Sequence, residues 1–388
     1  MNTSVAFYLA FKELWRRRGR FFLVSLVIAL ITLLVIFLAA LGEGLANGNK
    51  EYISKLTGEL VLYQEQANLS ISASQLGRST MNNIRRLPGI QDAGAIGVSS
   101  AFIEYDGAPE TESISLIGVE PGRPGEPIAL RGQQLSSLRG NEAIIGRNVA
   151  QRTGLTVGDT LTVNATQGTL DEQYPLEIVG VSDGQQYFIQ PSVIVPLYTW
   201  DRIRPKSSFS TGPSELTFNI VNVKLDDSQQ TESVAQLLPA QVNGIEAVDI
   251  VTAYEATPGY IEQESTLNTQ RGFTLLIGIL VVGGFFQIQT LQKVGQVGML
   301  KALGASNLVV GLGATLQILT VNTLGVIIGG FATLLLAMFL PPSIPIVFIG
   351  QEILVAVLTL LIIGPLGGMV SIRYLLRVEP LTALGLAS

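Results

Sequence analysis

The chain has 388 residues, of which 47% are hydrophobic and only 14% are charged, and its mean hydropathy is +0.43. Soluble domains carry about 25% charged residues, so this composition indicates an integral membrane protein. The chain has no cysteine and no histidine. Disulfides, cysteine nucleophiles, His-based triads and His-liganded metals are therefore excluded.

The N-terminal residues combine aromatic and basic side chains. The stretch 7–21, FYLAFKELWRRRGRF, predicts a helix over 1–20 that lies in the cytoplasmic membrane interface, with a plain basic flank as the alternative. Residues 21–41 follow without one charge and predict the first transmembrane helix, because about 20 apolar residues cross a bilayer. This run exceeds the core of a cleaved signal peptide, which is about 7–15 residues long, so we expect a retained anchor.

Residues 57–260 predict a large α+β domain. Short alternating segments punctuated by Gly, Pro, Asn and Asp are typical of strands. The predicted strands are 59–64, 113–120, 160–165, 175–183, 191–197 and 216–225, and the predicted helices are 74–87, 142–154 and 228–239. The flanking segments, to about residue 56 and from 261 to 273, predict helical stalks on the neighbouring spans, with ordinary loops as the alternative.

Three more apolar runs complete the predicted membrane part. The second span, together with the stalk that precedes it, is predicted over 261–291. The third span is predicted over 307–340 and the fourth over 346–372. A tail of residues 373–388 follows. Polar residues inside these spans, among them Gln317 and Asn322, are expected to form hydrogen bonds between helices or to lie at the interface, with a substrate pathway as the alternative. The patterns GVIIG at 325–329 and GPLGG at 364–368 predict close helix contacts.

The distribution of charge predicts the orientation. Residues 43–270 contain 14 Lys and Arg against 27 Asp and Glu, a balance of −13, whereas the rest of the chain has 10 against 3. Basic residues lie before the first span, between the second and third spans, and after the fourth. Because short basic flanks stay in the cytoplasm, we expect both termini and 292–306 to be cytoplasmic and the acidic block to be outside.

The segment 292–306, QKVGQVGMLKALGAS, predicts a short amphipathic helix across the cytoplasmic face. It is expected to stop near Gly304, with Ser306 or Asn307 capping the third span. Its apolar residues are expected to form one contact face with Lys301 at the rim, and a passive re-entry turn is the alternative. No GxxxxGK[ST] motif occurs in the chain, and the paired acids fall in polar turns typical of solvated surface.

The stretch QKVGQVGMLKALGAS resembles the ER-x-REIGLLRALGAS loop of the MacB/FtsX-type permeases of ABC transporters. Gln296–Met299 match EIGL and Lys301–Ser306 match RALGAS, while Gln292, Gly295 and Gln296 stand where the family often has charge. The tail RVEPLTALG, 377–385, and the region 141–183 also resemble family segments, and 59–76 looks most like the DevC-type permeases of glycolipid exporters. The resemblance covers essentially the whole chain.

This resemblance implies a fold and a set of partners. The fold is an integral membrane protein with four transmembrane helices and a large extracytoplasmic α+β domain inserted between the first and second. It implies a homodimer in the bacterial inner membrane, two separate ABC ATPase subunits that hold ATP and Mg, and a membrane-fusion adaptor with an outer-membrane channel. No cofactor in this chain, no enzymatic activity and no nucleic-acid partner are expected.

The resemblance also implies site residues. The segment that couples to the ATPase would comprise Gln296, Val297, Gly298, Met299, Leu300, Lys301, Ala302, Leu303 and Gly304, and the tail contact would comprise Arg377, Glu379 and Pro380. The implied function is export of a lipid, glycolipid or other envelope-directed substrate by transmitting ATP-driven motion outward. Two alternatives stay open: an FtsX-like regulator of a periplasmic cell-wall hydrolase, and a membrane receptor that needs no ATPase.

Overall fold

The computed structural model describes residue 12 and residues 18–105, 111–184, 186–187, 190–206, 215–340, 344, 346–348 and 350–377. Most of the predicted interfacial helix over 1–20 and the tail beyond 377 lie outside these residues. The chain divides into two compact units. A membrane unit comprises 1–44 and 264–388, and a second unit, which we call the exterior unit after its predicted side of the membrane, comprises 45–263.

Ten helices and thirteen strands occur among the described residues. The helices are α1 Arg18–Ser54, α2 Arg78–Ile84, α3 Arg147–Thr153, α4 Leu197–Ile203, α5 Thr231–Gln241, α6 Ile250–Glu255, α7 Tyr260–Leu291, α8 Val294–Ala302, α9 Asn307–Phe339 and α10 Gly350–Leu376, with a 3₁₀ turn at Ser228–Gln230. The strands are β1 Leu60–Gln64, β2 Leu76–Gly77, β3 Ile90–Glu104, β4 Glu112–Val119, β5 Ala129–Gly132, β6 Glu142–Gly146, β7 Thr160–Gln167, β8 Leu170–Ser182, β9 Gln186–Tyr187, β10 Gln190–Pro196, β11 Thr217–Phe218, β12 Ile220–Leu225 and β13 Ile245–Asp249.

Four helices, α1, α7, α9 and α10, contain stretches long and apolar enough to cross a membrane. An α+β unit lies between the first and second of them, which confirms the predicted fold class. Helix α1 continues beyond the apolar run to Ser54, and α7 begins at Tyr260, before its apolar run. The stalk segments predicted on either side of the exterior unit are therefore largely helical.

Glycines bring the membrane helices into close contact. A Cβ added at Gly325 would lie 2.6 Å from the Ile28 side chain, and one at Gly329 would lie 2.4 Å from the Ala29 carbonyl oxygen, so α9 packs tightly on α1. A Cβ at Gly367 of α10 would lie 2.9 Å from a backbone oxygen of α7. Both predicted small-residue patterns are thus found at helix contacts, where the missing side chain permits the approach.

Asn322 of α9 supplies a hydrogen-bond donor that α10 lacks. Pro365 has no N–H group, so the carbonyl of Leu361 loses its usual helical partner. Asn322 Nδ2 donates to the carbonyl oxygens of Leu360 and Leu361, each at 3.0 Å, and Asn322 is 1% exposed. A Cβ at Gly364 would lie 2.6 Å from the amide carbon of Asn322, so this glycine leaves room for it. The hydrogen bond between helices predicted for Asn322 is confirmed.

The exterior unit is built on one mixed sheet. The strand order is β13-β1-β12-β3-β4-β10-β6-β8-β5, with β7 paired to β3 and β8. The β10–β4 and β6–β8 pairs are parallel, and the other pairs along this path are antiparallel. Alternate residues of β1 enter two separate cores, since Leu60 and Leu62 pack with α2 to α5, whereas Val61 and Tyr63 pack with the end of α1 and with α6. The sheet is therefore covered on both faces.

A tryptophan fixes helix α4 on this sheet. Trp200 is 2% exposed, and its Nε1 donates to Ser99 Oγ at 3.0 Å. A Cβ at Gly97 or Gly118 would lie 2.4 Å or 2.3 Å from Trp200, so the ring needs both glycines on adjacent strands. These glycines give the sheet a shallow recess for the indole.

Three predicted helices differ from those in the structure. Residues 142–146 form strand β6, so the helix predicted over 142–154 is limited to α3. Ala143 and Ile145 enter one core and Ile144 the other, because β6 lies between β10 and β8. Only 78–84 of the helix predicted over 74–87 are helical, and the segment 228–239 begins as a 3₁₀ turn. Short apolar runs suit either a strand or a buried helix, and tertiary pairing decides.

Candidate functional site

Helix α8 is the short connection between α7 and α9, and its ends are well defined. Gly304 has φ of +91°, which glycine adopts without strain. Its N–H donates to the Lys301 carbonyl at 3.0 Å, and the Ala305 N–H donates to the Leu300 carbonyl at 2.9 Å, a Schellman motif. Ser306 caps α9 by accepting from the Val309 N–H at 3.4 Å. The predicted stop near Gly304 and the predicted cap at Ser306 are confirmed.

One face of α8 packs within the membrane unit. Val297 is 6% exposed and belongs to a small apolar cluster with Val310 at the start of α9, against which Ala305 and Ala314 pack. Gly298 is also buried. Val297 and Gly298 therefore hold α8 on the bundle, which corrects the expectation that all apolar residues of this segment form one contact face.

Other large apolar side chains of α8, and that of Leu303 just after it, are exposed. Met299 is 57% exposed, Leu303 is 81% exposed, and Leu300 is 37% exposed. Gln296, Ala302 and Gly304 are exposed as well. We call the side chains of Met299, Leu300 and Leu303 the α8 patch. A helix fixed to the bundle by Val297 presents this patch outward.

Lys301, which the sequence placed at the rim of the contact face, contacts the end of α10 in the structure. Its Nζ donates to the backbone carbonyl oxygen of Leu376 at 2.8 Å. Leu376 is the last residue of α10, where the final carbonyls have no partner within the helix. Lys301 thus links α8 to the end of the fourth span, and its charge lies at the negative end of that helix dipole.

A second lysine secures the beginning of α8. Lys293 is 9% exposed, and its Nζ donates to Gln317 Oε1 of α9 at 2.9 Å. The same ammonium lies 5.8 Å from the centre of the Phe21 ring at the start of the first span. In the sequence analysis Lys293 served only to predict the orientation in the membrane, and no contact was predicted for it.

The predicted tail contact is only partly described. Arg377 is exposed and follows α10 directly, while Glu379 and Pro380 lie outside the described residues. Because Leu376 accepts from Lys301, the chain leaves α10 beside α8. In the described part of the chain, no group of three or more His, Cys, Asp or Glu side chains is arranged to hold a metal ion.

The outer end of α1 is joined to the sheet by ion pairs. Lys55 Nζ contacts Glu51 Oε1 at 2.7 Å and Asp183 Oδ2 at 3.7 Å, and it donates to the Gly184 carbonyl at 2.9 Å. Asp183 also pairs with Arg147 of α3. Burial raises the pKa of the Glu51 carboxyl above its ordinary value, and the ion pair with Lys55 opposes that rise. This network ties the helix to the end of β8.

Two family models match complementary parts of the chain. The MacB-like periplasmic core domain matches residues 21–241, and the FtsX-like permease C-terminal model matches residues 272–380. The chain belongs to the MacB/FtsX-type permeases of ABC transporters. It is therefore a permease subunit and a multi-pass protein of the inner membrane, and the family implies an ATPase partner.

Relatives of this MacB/FtsX-type permease are similar along their whole length. The putative hemin transport system permease protein HrtB of Staphylococcus haemolyticus is 24% identical over 377 residues, covering 97% of this chain and 99% of that protein. An uncharacterized ABC transporter permease of Mycobacterium bovis is 20% identical, covering 96% and 97%.

Solved structures are similar to part of this permease. The periplasmic region of MacB from Actinobacillus actinomycetemcomitans is 14% identical, with a TM-score of 0.36, covering 52% of this chain and 92% of that one. The extracellular domain of the transporter YknZ from Gram-positive bacteria is 17% identical, with a TM-score of 0.34, covering 49% and 100%.

Proposed function

We propose that this permease transmits ATP-driven motion from separate ATPase subunits to its exterior unit. The α8 patch, at Met299, Leu300 and Leu303, would be the surface that docks on the ATPase. Both termini and residues 292–306 would be cytoplasmic, and the exterior unit would be extracytoplasmic. ATP and Mg would be bound by the ATPase, since this chain has no phosphate-binding loop.

The observation that carries this proposal is an apolar patch on a helix that is otherwise secured to the bundle. Met299 and Leu303 are more than half exposed, at 57% and 81%, although they lie outside the four spanning helices. Large apolar side chains clustered on a short exposed helix are typical of a protein interface. The residues that hold α8, namely Val297, Lys293 and Lys301, contact α9, the first span and α10. A push on the patch would therefore reach three of the four spans.

The path to the exterior unit would follow the two long helices. α1 runs without interruption from Arg18 to Ser54, and α7 from Tyr260 to Leu291. Each contains a membrane span and extends beyond it. A helix transmits displacement along its axis because each turn is hydrogen-bonded to the next. The Glu51, Lys55 and Asp183 contacts would pass the motion of α1 to strand β8.

The test replaces the apolar patch with charge. Met299→Glu and Leu303→Glu should each weaken association with the cognate ATPase by about 30-fold or more, because interface hot spots contribute at least about 2 kcal/mol. The measurement is co-purification with the ATPase from membranes, followed by transport-coupled ATP hydrolysis. Both variants should still insert and fold, since the two side chains are exposed.

Gln292→Glu is the matched control. It adds the same charge at an exposed position just before α8, where the family often has charge and outside the residues assigned to coupling, and it should keep association and activity. Full association of both patch variants would mean that α8 is a passive turn.

The partners and cargo follow from the same proposal. The permease would act as a homodimer with two ATPase subunits, a membrane-fusion adaptor and an outer-membrane channel. Its cargo would be an amphipathic, envelope-directed molecule such as a lipid or glycolipid, and the name of the HrtB relative adds hemin to the candidates. In the alternative function, an FtsX-like regulator of a periplasmic cell-wall hydrolase, α8 and the stalk helices would transmit the same motion. Co-purification of a fusion protein would support export, whereas co-purification of a cell-wall hydrolase would support regulation.

A further inference from the structure

A cleft on the exterior unit is lined by arginines although the unit is acidic overall. It has a volume of about 360 Å³ and lies between α2, the loop after β4, and the start of α4. Its less buried apolar walls are Leu138, Tyr198 and Leu216. Small-molecule sites commonly have volumes from about 300 Å³ upward and combine apolar walls with a few polar groups.

The arginines that line the cleft outnumber the acids that line it. Among the described residues, the charged side chains that line it are Arg78, Arg85 and Arg123 and one acid, Glu120. Arg85 pairs with Glu120 and donates through Nε and Nη2 to the Ala93 carbonyl oxygen, so this pair stabilises the fold. Arg123 is paired in turn with Asp92, so the positive charge available to a ligand is mainly that of Arg78, while Arg123 adds N–H donors.

Arg78 and Arg123 line the cleft from two different elements of the fold. Arg78 is exposed at the start of α2, and Asn82, four residues on, lies on the same helix face and also lines the cleft. Arg123 is in the loop after β4, where its Nη1 contacts Asp92 Oδ1 at 2.6 Å. Its guanidinium has further N–H donors beyond that bond.

The surrounding charge makes this cleft a local exception. Residues 43–270 carry a balance of −13, yet the described lining of this cleft has three arginines and one acid, with Asp92 pairing Arg123 just outside the lining. Arg139 adds a fourth guanidinium nearby, 4.9 Å from the centre of the Tyr198 ring. A concave surface lined by one sign of charge concentrates ions of the opposite sign. The walls of Leu138 and Leu216 favour an apolar group on the same molecule.

We propose that this cleft binds an amphipathic anion, with a phosphate or carboxylate held by Arg78 and Arg123 and an apolar group against Leu138, Tyr198 and Leu216. Arg guanidinium groups match both anions in geometry and charge. The site does not depend on the docking of an ATPase at α8, so either proposal can fail alone.

The experiment uses the full-length permease in an uncharged detergent. Isothermal titration with phenyl phosphate, which carries both an anion and a ring, should show saturable binding. Inorganic phosphate and phenol each supply half of that chemistry and should bind more weakly. Arg78→Gln should weaken phenyl phosphate binding about tenfold, the effect of losing one charge-assisted hydrogen bond.

Arg86→Gln is the matched control, because Arg86 is exposed just after α2 and does not line the cleft. It should bind phenyl phosphate like the unmodified protein, and both variants should keep the thermal midpoint. Equal affinity of the Arg78→Gln and Arg86→Gln variants for phenyl phosphate would refute the proposed binding site. If inorganic phosphate bound as tightly as phenyl phosphate, the proposal that the cleft also holds an apolar group would be refuted.

A second arm identifies the source of the anion. The titration is repeated in nanodiscs of phosphatidylcholine and in nanodiscs that also contain phosphatidylglycerol. A lower apparent affinity for phenyl phosphate in the anionic nanodiscs, absent in Arg78→Gln, would support the site with a lipid headgroup as occupant. An unchanged affinity would support it with a soluble anion as occupant.

Discussion

Replacing Lys301 with methionine tests how α8 is joined to the fourth span. Lys301→Met keeps an unbranched side chain of similar length but removes the ammonium that donates to the Leu376 carbonyl at 2.8 Å. A hydrogen bond from a charged group contributes about 1.5–3 kcal/mol, and a cation at a helix C-terminus about 0.3–1 kcal/mol. Lys301 is only partly buried, so solvent screening reduces these values, and we expect a loss of about 1–2 kcal/mol.

The loss should appear first as opening of the last turn of α10. A cost of about 1–2 kcal/mol raises an opening equilibrium roughly 5- to 30-fold. Hydrogen exchange at residues 374–377 should accelerate by that factor, with little change in the centre of α9. ATP hydrolysis by the associated ATPase should persist while its coupling to transport falls, because Met299 and Leu303 keep their exposure.

Lys301→Arg retains a charge and several donors on a long side chain, so it should exchange like the unmodified protein. If Lys301 were instead a rim contact, Lys301→Met would weaken ATPase association slightly and leave the exchange at 374–377 unchanged. That second pattern would refute the role assigned to the lysine.

The remaining predictions concern orientation, the bundle and the exterior unit. In this cysteine-free chain, an impermeant thiol reagent applied outside intact cells should label Ser137→Cys and spare Ala302→Cys, and the reverse would invert the topology. Asn322→Ala should lower the stability of the membrane unit in detergent unfolding by about 1–2 kcal/mol, because the Leu361 carbonyl of α10 loses the donor that replaces the missing Pro365 N–H. The isolated fragment 45–263 should be soluble with mixed helix and strand circular dichroism. Tyr52→Ala should destabilise it by about 3–5 kcal/mol, since Tyr52 is 1% exposed in its core.

Sequence by itself determined the broad organisation of this permease. Continuous apolar runs of about 20 residues have few alternatives to membrane helices, so the four spans and the inserted unit could be predicted. Gly304 and Ser306 are local signals, because a left-handed residue ends a helix and a hydroxyl caps the next one without help from distant residues. The hydrogen bond predicted for Asn322 follows from the cost of an unpaired amide inside a bundle.

Only the tertiary structure decided which side chains of α8 remain exposed to solvent. Val297 and Met299 are both apolar and two residues apart, and periodicity cannot tell which of them packs on Val310. Likewise, nothing local links Lys301 to a carbonyl 75 residues later. The run at 142–146 became a strand because β10 and β8 lie on either side of it. Local pattern fixes how much of a segment is apolar, but the choice of partner depends on contacts between residues far apart in the chain.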